Sequence, residues 1–261
     1  MVKEIYEKDK LEASDIKELV YQNILAVVIR NFYPADIAHK IAEKIMACPN
    51  RGYYNRESEL ARIGMAHFEV DSIESNQRYH DFAVEWIQDL RSMFKPYLSP
   101  IDKLRLTLEE MWPSGAALQT LNGLKCFVGI CRILDPMITI NPHYDRLDRD
   151  YCTDIEQANR LLGQLSANIY LQIPDKGGEL ELWIEDQNSK KIQALNKDGY
   201  FGIELEKMGV PEFSIRPNPG DLIIFNTRLY HGIRSGEGNS RISIGTFIGY
   251  AGDQLPLTYW S

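Results

Sequence analysis

Between residues 165 and 173 every second side chain is apolar. Leu165, Ala167, Ile169, Leu171 and Ile173 alternate with Ser166, Asn168, Tyr170 and Gln172. Neighbouring side chains on a strand point to opposite faces, so this two-residue period demands an extended segment with one apolar face and one polar face. The apolar face needs a core to cover it. The polar face is either wet or lines a cavity, which an antiparallel sandwich or open barrel can enclose. Arg241–Tyr250 repeats the pattern, with Ile242, Ile244 and Ile248 on one side and Arg241, Ser243 and Gly245 on the other. Further strands are predicted over 124–134, 179–184, 213–216 and 221–226. Gly- and Pro-containing turns at 175–178, 218–220 and 235–239 separate them.

Upstream of Gly123 the period is mostly helical. A short β-branched run at 25–30 is followed by a turn at Asn31-Phe32-Tyr33-Pro34. From Ala35, the residues Ile37, Ala38, Ile41, Ile45 and Met46 recur at helical spacing. A second helix is predicted over 77–94, with Phe82, Trp86, Leu90, Met93 and Phe94 along one stripe. A third starts after Ser99 as N-cap, with Pro100 first and Asp102 in the first turn, and stops before Pro113. Residues 53–70 show no period. Helices followed by strands imply a mainly β fold with helices packed on one side of an antiparallel sandwich. No linker divides the chain, so one domain over 1–261 is expected: a helical part at 1–122, then a strand-rich core at 123–261. Two longer segments, 146–163 and 189–208, interrupt that core and are expected to be part-helical lids over a pocket.

Charge narrows the function classes. With 29 Lys+Arg against 37 Asp+Glu, the net charge of −8 argues against nucleic acid as a partner. No apolar run is long enough to span a bilayer, and the charged N-terminus does not look like a secretory signal. Cys48, Cys126, Cys131 and Cys152 form no CxxC pair, which points to a reducing cytoplasm, with Cys126 and Cys131 acting as small buried hydrophobes. A small-molecule substrate is the expected partner, and nothing in the sequence sets an oligomeric state.

Of five histidines, His39 and His80 fall in predicted helices and are read as surface or packing residues. His143 sits in Asn141-Pro142-His143-Tyr144-Asp145. Two residues apart in extended backbone, His143 and Asp145 point to one face and can reach one ion. His231 follows the apolar strand at 221–226. Two imidazoles and one carboxylate on one side of a metal, with the other positions open, is the arrangement of non-haem Fe(II) oxygenases. Ten residues on, Arg241 begins a mostly apolar strand and shares a face with Ser243. A guanidinium there requires an anion, either a structural Asp or Glu or a diffusible dicarboxylate.

These residues resemble the Fe(II)/2-oxoglutarate-dependent oxygenases, whose core is a double-stranded β-helix (a cupin-like jelly roll) carrying His-x-Asp, a distal His and an Arg-x-Ser. The matching positions are His143 and Asp145, His231, and Arg241 with Ser243. Val28-Ile29-Arg30 before Phe32-Tyr33-Pro34, Ile173-Pro174 before Gly177-Gly178-Glu179-Leu180, and Tyr259-Trp260-Ser261 are similar to one branch. That branch holds the cyanobacterial indole-alkaloid halogenases and N-acyl amino-acid hydroxylases. The resemblance implies Fe(II) on His143, Asp145 and His231, 2-oxoglutarate and O2 as co-substrates, and the far carboxylate of 2-oxoglutarate on Arg241 and Ser243. Asn168 and Tyr170 are candidates to complete the co-substrate site, and His67, Arg132, Trp183 and Asn226 to line the substrate pocket. The related halogenases carry Gly where this chain has Asp145, so hydroxylation of an amino acid, a derivative or a natural-product intermediate is the implied reaction. Desaturation, epoxidation or cyclisation on the same cofactor, and a non-catalytic small-ligand binding protein, are the alternatives.

Overall fold

The computed structural model describes residues 4–54, 60–149, 156–186, 188–195 and 202–261. Parts of both expected lids and Cys152 lie outside them. In chain order, the principal strands of the first half are β1 (Glu4–Lys8), β2 (Ile24–Ile29), β3 (Gly52–Tyr53) and β4 (Ala61–Ile63), with shorter ones at Ala116–Leu118, Thr120–Leu121 and Leu124–Lys125. The second half supplies β5 (Ile130–Leu134), β6 (Ile140–His143), β7 (Gly163–Gln172), β8 (Leu180–Asp186) and β9 (Phe213–Ile215). It continues with β10 (Leu222–Asn226), β11 (Leu229–Ile233), β12 (Arg241–Tyr250) and β13 (Leu257–Trp260). The principal helices are α1 (Ala13–Val20), α2 (Ala35–Met46), α3 (Ile73–Phe94) and α4 (Pro100–Met111).

Two sheets stack. The larger runs β1-β2-β10-β7-β12-β5-β4-β3, with β13 also paired to β12, and the smaller runs β9-β8-β11-β6. The helices pack on the outer face of the larger sheet, where Leu165, Ala167, Ile169, Ile242, Ile244 and Ile248 join Ile41, Ile45, Leu90 and Leu104 in one core. A second cluster, including Val28, Tyr170, Leu180, Leu182, Ile223 and Phe225, fills one end of the space between the sheets. The odd positions of 165–173 thus face the helices and the even positions face the smaller sheet. Ser166, Asn168 and Tyr170 are all buried, which decides the open question: their polar face lines an interior and is not wet.

The first half is less purely helical than its sequence suggests. β1 and β2 extend one edge of the larger sheet and β3 and β4 the other, so both halves build the same sheet. The expected strand at 124–134 is broken, because Gly129 adopts φ +101° just before β5. α3 starts four residues early, where the Ser72 hydroxyl accepts from the Ser75 backbone N–H at 3.1 Å. α4 begins at Pro100 as expected, yet the Ser99 hydroxyl makes no capping bond. Among the described residues, no helix is long and apolar enough to cross a membrane.

Candidate active site

The smaller sheet sets the two histidines side by side. β6 and β11 are antiparallel neighbours with His143 opposite His231, and their rings lie 4.4 Å apart between centroids. Asp145 follows β6 and is held from the far side of the space. Its backbone N–H donates to the Thr227 carbonyl at 2.9 Å, and the Thr227 hydroxyl donates back to the Asp145 carbonyl at 3.2 Å. An Asp145 oxygen stands 3.3 Å from His231 Nε2 and 3.9 Å from His143 Nε2. One ligand atom from each of the three residues falls within 4.8 Å of the others.

The protonation pattern suits a metal. Each histidine Nδ1–H donates to the carbonyl two residues upstream, His143 to Asn141 at 2.8 Å and His231 to Leu229 at 3.1 Å. That fixes the tautomer and leaves both Nε2 lone pairs facing Asp145. Burial first, and then the neighbouring His231, lower the His143 pKa to about 4, so its ring is neutral at physiological pH. Burial opposes the Asp145 charge, but the surrounding His143, His231 and Arg132 side chains together hold its carboxyl below the ordinary range. One imidazole nitrogen from each histidine and one carboxylate oxygen, converging on one side, fit a divalent iron with open coordination positions. Phe225, 4.9 Å from the His231 ring, and Leu182, opposite His231 in register, make the surroundings apolar.

The inner face of the larger sheet supplies the other half. Arg241 is 3% exposed and, among the described residues, has no carboxylate within ion-pair distance. Its Nη2 donates to the Tyr170 hydroxyl at 3.2 Å, its guanidinium lies 4.8 Å from the centre of that ring, and its Nε has no partner. Burial depresses its pKa from the usual arginine value. Of the two anions left open by the sequence, the structural Asp or Glu is therefore absent from the described residues. Ser243 is buried on the same strand, between Tyr170 and Arg132 in register. Asn168 accepts from Arg132 Nη1 at 3.3 Å and donates to Ser166 Oγ at 2.9 Å.

Three of the pocket candidates pack against other parts of the fold. Trp183 alternates with Leu182 and so points away from the histidines. It packs with Ile192, Ile203, Met208 and Tyr230, and its Nε1 donates to the Gly209 carbonyl. It pins the described parts of 189–208 to the outer face of the smaller sheet. Asn226 faces the helices, donating to the Leu19 carbonyl and accepting from the Arg228 N–H. His67 sits against Tyr79 and His80 of α3. Arg132 does face the interior. Sequence reasoning missed Tyr54, whose hydroxyl accepts from Arg132 Nε at 3.2 Å, because 53–70 has no period to read. It also missed Thr227, which no pattern distinguishes from an ordinary strand end.

A family model described as "Carrier-protein-independent halogenase WelO5" matches residues 6–261. The chain belongs to that family. Its His143–Asp145–His231 set is the facial triad of the wider Fe(II)/2-oxoglutarate oxygenase superfamily, which uses Fe(II) and 2-oxoglutarate. An L-isoleucine 3(1)-dioxygenase of Pantoea ananatis is 30% identical over 249 residues, covering 90% of this chain and 82% of that protein. An L-gamma-glutamyl-L-propargylglycine hydroxylase of Streptantibioticus cattleyicolor is 28% identical over 168 residues, covering 61% of this chain and 59% of the hydroxylase. The fold is shared with an N-substituted L-amino acid dioxygenase of Burkholderia ambifaria solved with α-ketoglutarate (TM-score 0.63, 13% identity, 95% and 91% of the two chains).

Proposed function

We propose that this protein is an Fe(II)/2-oxoglutarate-dependent dioxygenase, acting as one unit over 1–261, that hydroxylates an unactivated C–H of an amino acid or amino-acid derivative. The carrying observation is the pairing of the convergent triad with a buried arginine that has no carboxylate of its own. His143, Asp145 and His231 hold the iron; Arg241, Ser243 and Tyr170 take the far carboxylate of 2-oxoglutarate. Bound iron, with 2-oxoglutarate and O2, supplies the oxidising power that removes a hydrogen atom and returns a hydroxyl group, releasing succinate and CO2.

The protein's own part is placement. The Asn141 and Leu229 carbonyls lock the imidazoles with Nε2 inward, and Thr227 fixes the Asp145 backbone, so the ligand set is formed before metal arrives. Arg241 sets the direction of the co-substrate through a charge-assisted pair in a site too dry for water to compete. Phe225 and Leu182 keep water off the reacting face.

Asp145 supports hydroxylation over halogenation. A chloride would have to displace a tethered carboxylate that needs no recruitment from solution. The amino-acid class draws support from the relatives, which are named for L-isoleucine, a γ-glutamyl amino acid and N-substituted L-amino acids. The test is succinate release with Fe(II), 2-oxoglutarate, O2 and a panel of L-amino acids and their N-acyl and γ-glutamyl derivatives. Release that requires one panel member, and that His231→Ala abolishes, is expected. A folded protein that binds neither iron nor 2-oxoglutarate contradicts the proposal.

A further inference from the structure

The interior holds a second arginine that the co-substrate does not need. Arg132 and Arg62 lie directly opposite each other on β5 and β4, and their surroundings differ. The Arg62 guanidinium meets the buried Glu69 carboxylate at 2.7 Å. Arg132 has only neutral partners, the Tyr54 hydroxyl at 3.2 Å and the Asn168 carbonyl oxygen at 3.3 Å. Among the described residues, no carboxylate comes within ion-pair distance of it. The bond to Asn168 and the register opposite Ser243 place its head group on the same inner face as Tyr170 and Ser243. Gly245 makes room for its head group: a Cβ there would stand 2.9 Å from Arg132 Nη1 and 2.4 Å from Asn168 Oδ1.

Iron(II) with the Asp145 carboxylate carries one net positive charge, and Arg241 adds another. The 2-oxoglutarate dianion neutralises both. Arg132 is then left over, half-buried and with no carboxylate partner among the described residues, and a poorly hydrated cation calls for an anion. Arg241 bonds to Tyr170 and Arg132 to Asn168, two positions apart on β7, so the two guanidinium groups hold different partners on one inner face.

We propose that Arg132, braced by Tyr54 and Asn168, anchors a carboxylate of the primary substrate and so restricts the enzyme to acids. This rests on the hydroxylase reading above. Once a bound substrate covers the half-buried Arg132 head group, losing one partner of the charged pair weakens binding by about thirtyfold or more. The test measures binding without turnover, by calorimetry on protein loaded with Zn(II) and 2-oxoglutarate. The probes are the common L-amino acids and their N-acetyl derivatives, each beside its primary amide.

In the wild type, acids are expected to bind and their amides at least thirtyfold more weakly, a comparison that depends on no variant folding. Arg132→Gln should erase that preference by weakening the acid alone, leaving the amide and the 2-oxoglutarate Kd within threefold. Arg132→Lys should restore part of it. Amides that bind as well as acids, or a panel in which no acid binds, overturn the proposal. So does an Arg132→Gln protein whose 2-oxoglutarate Kd rises while acid binding holds, since the guanidinium then belongs to the co-substrate. Failure of the hydroxylase reading looks different: the wild type then fails to bind 2-oxoglutarate at all.

Discussion

Replacing Arg241 with Met keeps the aliphatic stem and removes the charge, and the two consequences should have opposite character. Without ligand, the guanidinium is buried at 3% exposure and held only by the Tyr170 hydroxyl at 3.2 Å and the face of that ring. Removing it forfeits one hydrogen bond to a charged group, about 1.5–3 kcal/mol. It also relieves the desolvation of a buried cation, which is several kcal/mol in the other direction. The ligand-free variant should therefore lie within about 2 kcal/mol of wild type, on either side. Binding of 2-oxoglutarate has no such compensation. A buried charged pair that loses one partner costs about 2–5 kcal/mol, or about 30- to 4,000-fold in Kd. Urea unfolding of the ligand-free proteins gives the first quantity, and anaerobic calorimetry of the Fe(II)-loaded proteins the second. A variant that binds 2-oxoglutarate within threefold of wild type would contradict a co-substrate role for Arg241. So would one that loses about 3–5 kcal/mol of ligand-free stability, the signature of a broken structural ion pair.

Three other residues give separate tests. Trp183→Ala should cost about 3–5 kcal/mol of stability with the 2-oxoglutarate Kd unchanged, because its ring packs behind the smaller sheet; a raised substrate KM without destabilisation would return Trp183 to the pocket. Gly245→Ala should push Asn168 and Arg132 apart, costing about 1–3 kcal/mol and weakening substrate binding more than 2-oxoglutarate binding, and wild-type calorimetry for both ligands would contradict this. Burial, and to a smaller degree the nearby His67, lower the His80 pKa from 6.5. Below pH 6.5 the unfolded chain therefore takes up more protons than the native one, and stability falls as pH drops. His80→Gln should flatten that slope in unfolding curves taken at two pH values on either side of 6, and an unchanged slope would remove His80 as its source.

What the sequence discloses, and what it hides, follows from how each residue acts. His143 and Asp145 are legible because two-residue spacing puts both on one face. Arg241 and Ser243 are legible because a charge on an apolar strand needs a reason. β7 and β12 declare themselves by strict alternation. β6 does not, since Pro142 argues against a strand; it is tolerated because β6 lies at the edge of its sheet. β11 is hidden for a different reason: Leu229, Tyr230, His231 and Gly232 are all buried, so the polar-apolar alternation that marks a half-wet strand is absent. Trp183 and Asn226 pack away from the triad, and alternation gives two faces without saying which one meets the cavity. One residue of register separates Trp183 from Leu182, and only the pairing of Leu182 with His231 decides it. Tyr54 reaches the site through a contact distant in sequence, which no local pattern encodes.

Oxygen insertion at a metal whose third protein ligand is Asp145 is read in the mass spectrum of the product that the wild-type enzyme forms from the panel member that turns over, under 18O2 at high sodium chloride. Hydroxylation gives a product bearing one labelled oxygen and no chlorine isotope doublet, with succinate formed alongside it. A predominantly chlorinated product would contradict it.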